Sequence, residues 1–150
     1  MKHLLISFLK FIVLFITPIF PLMLAVGAAI FADTYFGRKA ARHLGGDDAV
    51  TSKITRKGIV PKLIGYQAAI ITMFLLDGYA LNEVMINYIP FAFVATKFVG
   101  AFLIWIEWSS INESYKKMKG YTLNDKIAEF FKEIKKAAAK ILEFKKEIDE

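Results

Sequence analysis

Between Phe11 and Ala32 the chain runs for 22 residues without a formal charge. A helix of that length rises about 33 Å, enough to cross about 30 Å of hydrocarbon. Composition agrees: 56% of the 150 residues are hydrophobic and only 23% are charged, which argues against a disordered chain or an ordinary soluble enzyme. A secretory signal peptide is the competing reading of such a run, but no small-x-small cleavage site leads into a soluble mature domain. The apolar stretch itself starts near Leu4 and is interrupted only by Lys10, so Leu4 to Phe36 is too long for one upright span. Pro18 and Pro21 sit in its middle. Each removes a backbone donor and disfavours helix in the residue before it, so Thr17-Pro18-Ile19-Phe20-Pro21 predicts a break or kink. Residues 1–18 then form either an interfacial helix with Lys2 and Lys10 snorkelling or a short extra span; the interfacial helix is the favoured reading.

Charge distribution orients the rest of the chain. From Gly37 to Lys62 it carries Arg38, Lys39, Arg42, Lys53, Arg56, Lys57 and Lys62 against Asp47 and Asp48, and a short loop with that excess stays in the cytoplasm. Ile59 to Leu76, with Lys62 snorkelling, reads as a second span. Asp77 to Glu83 has two acids and no lysine or arginine, which suits an outer connection. Val84 to Trp108 reads as a third span broken by Lys97 and Glu107, with Trp105 and Trp108 at the cytoplasmic interface. The predicted fold class is therefore all-α: a helical integral membrane protein with three spans, four if the first segment crosses, and a C-terminal cytoplasmic helix. The predicted division is 1–18, a transmembrane domain at 19–108, and a charged tail at 109–150.

The tail holds ten lysines and eight acidic residues. Thr122 followed by Asp125 predicts a capping box with Asp in place of Glu, and Gly120 ends the preceding helix. Beyond it, Ile127, Phe130, Ile134, Ala137, Ile141, Phe144 and Ile148 recur at steps of three and four, a heptad seam. Two uses stay open for that seam: self-association of the tail, or an amphipathic helix folding back on its own chain or on the bilayer.

No reaction is legible. The absence of cysteine removes disulfides and thiolate sites, and two histidines, His3 and His43, are too few for a histidine-built metal site. There is no phosphate-binding glycine loop and no nucleophile with a histidine base. Asp33, Gly37, Ala41, Arg42, Asp47 and Asp48 superficially resemble the signature of membrane phosphotransferases acting on cytidine-diphosphate alcohols, but these acids crowd into one loop. No cofactor is called for, and the chain reads as a non-enzyme. Nucleic acid is an unsuitable partner for the net charge of +6, because the cations flank spans or alternate with glutamate without forming a stripe. A bilayer containing anionic lipid accounts for them.

Charges at membrane depth are functional candidates by default, since each costs several kcal/mol unless paired or wet. Asp33, Arg56, Lys57 and Glu107 share the cytoplasmic depth and are predicted to bond across the spans, or to reach headgroup water singly. Lys97 sits deeper and is predicted to face protein or water, as a residue lining a lesion. Ala92, Thr96 and Gly100, and Gly65 with Ala69, offer small-residue faces for close helix packing. Ile127, Phe130, Ile134, Ile141, Phe144 and Ile148 are the candidates for tail oligomerisation.

Three strings also carry a resemblance: Asp33-Thr34-Tyr35-Phe36-Gly37 closing the first span, Ser52-Lys53-Ile54-Thr55-Arg56-Lys57-Gly58 before the second, and Glu107-Trp108-Ser109-Ser110-Ile111-Asn112-Glu113 closing the last. In order and spacing, residues 20–120 resemble bacteriophage holins of the toxin-secretion and phage-lysis family. The chain departs from that pattern at Ala32, at Lys97, and in its long heptad tail. The resemblance implies an inner-membrane protein that accumulates during infection and assembles with itself into a lesion, letting an endolysin or, in related systems, a toxin leave the cytoplasm. Two other classes stay open on the sequence alone: a non-permeabilising adaptor that recruits a cytoplasmic partner through its tail, and a small ion-channel or transporter subunit.

Overall fold

A computed structural model describes residues 2–46, 52–81 and 92–149, without the side chains of residues 52–57 and 142–149. Its helices are α1 (Lys2–Ile16), α2 (Phe20–Gly45), α3 (Ser52–Leu76) running on into a π-helical turn (Asp77–Leu81), α4 (Val94–Lys119) and α5 (Leu123–Asp149). No strand occurs among the described residues. Three helices are long and apolar enough to cross a membrane: Phe20–Gly45, Gly58–Leu81 and Val94–Lys119.

The break before α2 falls on the prolines. Pro18 lies in the turn at 17–19, and Pro21 occupies the first turn of α2, where its missing N–H costs nothing. Ahead of it, α1 exposes apolar side chains on nearly every face and touches the bundle mainly through Ile16 and through Phe15, whose ring meets Phe74 edge-on at 5.2 Å.

The bundle itself is α2, α3 and α4, with α2 against α4 the broadest contact. Each helix buries a seam whose steps of three, four or seven residues keep it on one face. In α2 it passes through Val26, Ile30, Asp33 and Ala40; in α3 through Leu63, Tyr66, Ile70 and Phe74; in α4 through Thr96, Gly100, Leu103, Glu107 and Ile111. Outside the seams the surface is apolar: Phe31, Ile64, Phe98, Phe102 and Trp105 all point outward. A helix surrounded by lipid gains little from hiding leucine or phenylalanine, so the seams bury small and polar residues beside the aliphatic ones while many large apolar side chains stay outside. Gly100 permits the closest approach, since a Cβ there would stand 2.5–2.7 Å from the Leu22 side chain.

Three details differ from the sequence expectation. The segment expected as a loop at 37–62 is helical over 37–45 and 52–62, because α2 continues to Gly45 and α3 begins at Ser52, which carries the basic residues on helix ends. Asp77 does not open an outer connection; the α3 seam carries it into the protein, where it is 2% exposed. The third membrane-length helix, α4, starts at Val94, so Ala92 lies in the bend ahead of it and Lys97 falls in its first turn, not at mid-helix. The expected beginning of that span, Val84 to Phe91, lies outside the described residues, as do Asp47 and Asp48 of the basic loop.

Candidate functional site

Four of the buried polar residues, Asp33, Glu107, Asp77 and Thr96, gather into two knots, one towards each end of the bundle. In the inner knot, Lys62 of α3 donates from Nζ to Asp33 Oδ2 of α2 at 2.8 Å and to Glu107 Oε2 of α4 at 3.0 Å. One turn further along α3, the Tyr66 hydroxyl donates to Glu107 Oε1 at 2.9 Å. All three membrane-length helices therefore meet at one ammonium. Glu107 is completely buried, and both of its oxygens are occupied, as a carboxylate removed from water requires. With all three groups ionised, two carboxylates face one ammonium and the cluster carries a net charge of −1.

Asp33 and Glu107 are thus brought together, but by a residue that sequence reasoning assigned to snorkelling. The signal was available: Lys62 and Tyr66 are spaced i, i+4 and so share one face of α3, which carries no other charge from Gly58 to Leu76. Arg56 and Lys57, the cations expected in this cluster, belong to the start of α3, and their side chains lie outside the described residues.

In the outer knot, Asp77 Oδ2 accepts the Thr96 backbone N–H at 2.6 Å and the Thr96 hydroxyl. The first N–H groups of a helix have no partner within it. Phe93, the residue preceding α4, offers no capping oxygen and adopts a left-handed conformation with φ 58° and ψ 46°. Asp77 supplies the cap from the neighbouring helix, placing a negative charge at the positive end of the α4 dipole. Phe93 is held by its ring, 4.8 Å from that of Phe74. Between the knots lie Val26, Ile30, Ile70, Phe74 and Leu103. Lys62 to Asp77 is fifteen residues, or about 22 Å of helix, less than the hydrocarbon thickness. Gln67 of α3 adds a bond to α2 there, its Nε2 donating to the Met23 carbonyl at 3.1 Å.

Of the small residues, Thr96 and Gly100 are buried between helices, Ala69 is half-buried, and Gly65 faces outward, with open space for 4 Å around the point where a Cβ would stand. Lys97 is exposed on the bundle surface beside Phe98. In the tail, Ile127, Phe130, Ile134 and Ile141 are exposed; the side chains of Phe144 and Ile148 lie outside the described residues. The expected capping box forms: Thr122 donates its N–H and hydroxyl to Asp125 Oδ2 at 2.8 and 2.7 Å, and the Asp125 N–H returns to the Thr122 hydroxyl at 3.1 Å.

Past the inner knot, α2 presents Arg38, Lys39 and Arg42 along a groove of about 540 Å³ that also includes Phe31, Tyr35 and Ile59. Lys39 stands 6.0 Å above the Tyr35 ring. Nothing in either knot resembles a nucleophile with its base, and the arrangement joins helices. Compared with known proteins, residues 10–136 match the model of the bacteriophage holin family. No curated protein and no solved structure matches significantly.

Proposed function

Because the chain belongs to the bacteriophage holin family, we propose that it accumulates in the bacterial inner membrane and self-assembles into a lesion through which a phage endolysin, or a toxin, leaves the cytoplasm. The segment at 37–62, made of the end of α2, its connection to α3 and the start of α3, and the C-terminal helix lie on the cytoplasmic side, where the cations of α2 hold anionic headgroups. Asp33, Lys62 and Glu107 fix the mutual rotation of the three spans, with Arg56 and Lys57 nearby, so that each copy enters the assembly as a preformed unit.

The observation that carries this reading is the match to the holin family over residues 10–136. Lys97, exposed on the surface of α4, faces a water-filled lesion in the assembly, while the open face at Gly65 lets neighbouring copies approach closely.

Expression in a bacterial host, with membrane potential and escape of a co-expressed cytoplasmic enzyme followed together, tests the proposal. Abrupt loss of both is expected. Lys97→Leu should insert more firmly and delay or abolish permeabilisation; unchanged timing removes Lys97 from the mechanism. Retained potential with capture of a cytoplasmic partner by α5 favours an adaptor, and leakage of small ions without escape of the enzyme favours a channel subunit.

A further inference from the structure

The last helix, α5, is rooted on the end of α4. Gly120, with φ 82°, ends α4 in a left-handed turn and sends its N–H to the Lys116 carbonyl at 2.8 Å. The chain then folds back on α4. Asn124 Oδ1 accepts the Trp108 indole N–H at 3.0 Å and the Asn112 side-chain amide at 3.4 Å, while the Asn124 backbone N–H reaches Asn112 Oδ1 at 3.2 Å. From Trp108 to Lys119 is eleven residues, about 16 Å of helix. The fold-back therefore returns the chain by much of that length, to the level of a half-exposed tryptophan one residue beyond Glu107. Beyond Trp108, α4 exposes Glu113, Lys116, Lys117 and Lys119, which belong in water. Trp108 stands at the boundary between apolar and charged surface, the level that tryptophan prefers in a bilayer.

From that root α5 leaves the bundle, exposed from Asn124 through Ile141. At 100° per residue, Ile127, Phe130, Phe131, Ile134, Ala138 and Ile141 cover an arc of about 100°. A two-stranded seam is narrower, and the exposed Phe131 lies outside the heptad positions. Lys126 and Lys135 border the arc on its two sides. Apolar side chains rimmed by lysine match the boundary between acyl chains and anionic phosphates.

We propose that α5 lies in the plane of the cytoplasmic leaflet, its apolar arc among acyl chains and its lysines on the phosphates of anionic phospholipid. The Trp108–Asn112–Asn124 cluster sets its depth. The proposal rests on the bundle crossing the membrane and is independent of lesion formation.

The test uses the full chain in vesicles of phosphatidylethanolamine and phosphatidylglycerol, with single cysteines at exposed positions, Ile134→Cys on the arc and Lys132→Cys opposite it. Each carries a fluorescent label, and phospholipids brominated in their acyl chains act as quenchers. Quenching several-fold stronger at Ile134→Cys than at Lys132→Cys is expected. Equal quenching at the two positions overturns the proposal. So does energy transfer between labelled copies at Ile134→Cys without lipid quenching, which assigns the arc to a second copy of the chain.

Discussion

The two polar knots use carboxylates in different ways. The inner one is ionic and ties three helices through Lys62, whose side chain keeps 38% of its exposure. The outer one ties two helices through a single carboxylate and neutral donors, with both partners buried. The first fixes how helices face one another; the second starts a helix where no local side chain caps it. Both depend on the same fact, that an unsatisfied group inside a bilayer finds no water.

The comparison breaks most severely at Lys62. Lys62→Met leaves two carboxylates in one site without a cation, and destabilisation of about 3–5 kcal/mol is expected on unfolding in mixed micelles. Removing all three charges together, with Asp33→Asn and Glu107→Gln added, should recover much of the loss. At the outer knot, Asp77→Ala strands both Thr96 donors and should cost about 1–3 kcal/mol. Thr96→Val keeps the backbone bond and should cost less, which separates the cap from the hydroxyl contact. Between the knots, Gly100→Ala drives its methyl into Leu22, at a cost of about 1–2 kcal/mol, relieved when Leu22 is also shortened. Gly65→Ala, with open space around it, should change monomer stability by less than about 0.5 kcal/mol.

The smallest effect belongs to a cap in water. The Thr122 hydroxyl and backbone N–H hold the Asp125 carboxyl below its ordinary range. A carboxyl lowered in the folded state adds stability above its unfolded pKa and loses it as pH falls through the folded value. Amide exchange in the first turn of α5 should therefore accelerate below the ordinary carboxylate range, and Asp125→Asn should abolish that step. A step equally strong in the variant would assign it elsewhere.

Much of this architecture was legible from the residues. Uncharged runs located the long helices, Pro18 and Pro21 located the break before α2, and Thr122 with Asp125 located the start of α5. The pairings were less legible, because a lysine near the end of a span reads as snorkelling unless its partners on other helices are known. Lys62 reaches carboxylates 29 and 45 positions away, and no local pattern records such distances. Asp77 was misplaced for a related reason: an acid at the end of an apolar run suggests a loop, and only the three-four seam continuing from Ile70 and Phe74 puts it inside. The root of α5 depended on Asn112 and Asn124, two neutral residues without a periodic signature.

The central claim is that three helices cross the inner membrane with the basic loop and the tail both inside the cell. The cysteine-free sequence allows a direct measurement with a membrane-impermeant maleimide on intact spheroplasts whose potential is still maintained. Tyr79→Cys should label at once, while His43→Cys and Lys119→Cys should label only after the membrane is opened. Labelling of His43→Cys from outside, or recovery of the chain in the soluble fraction without detergent, would contradict the account.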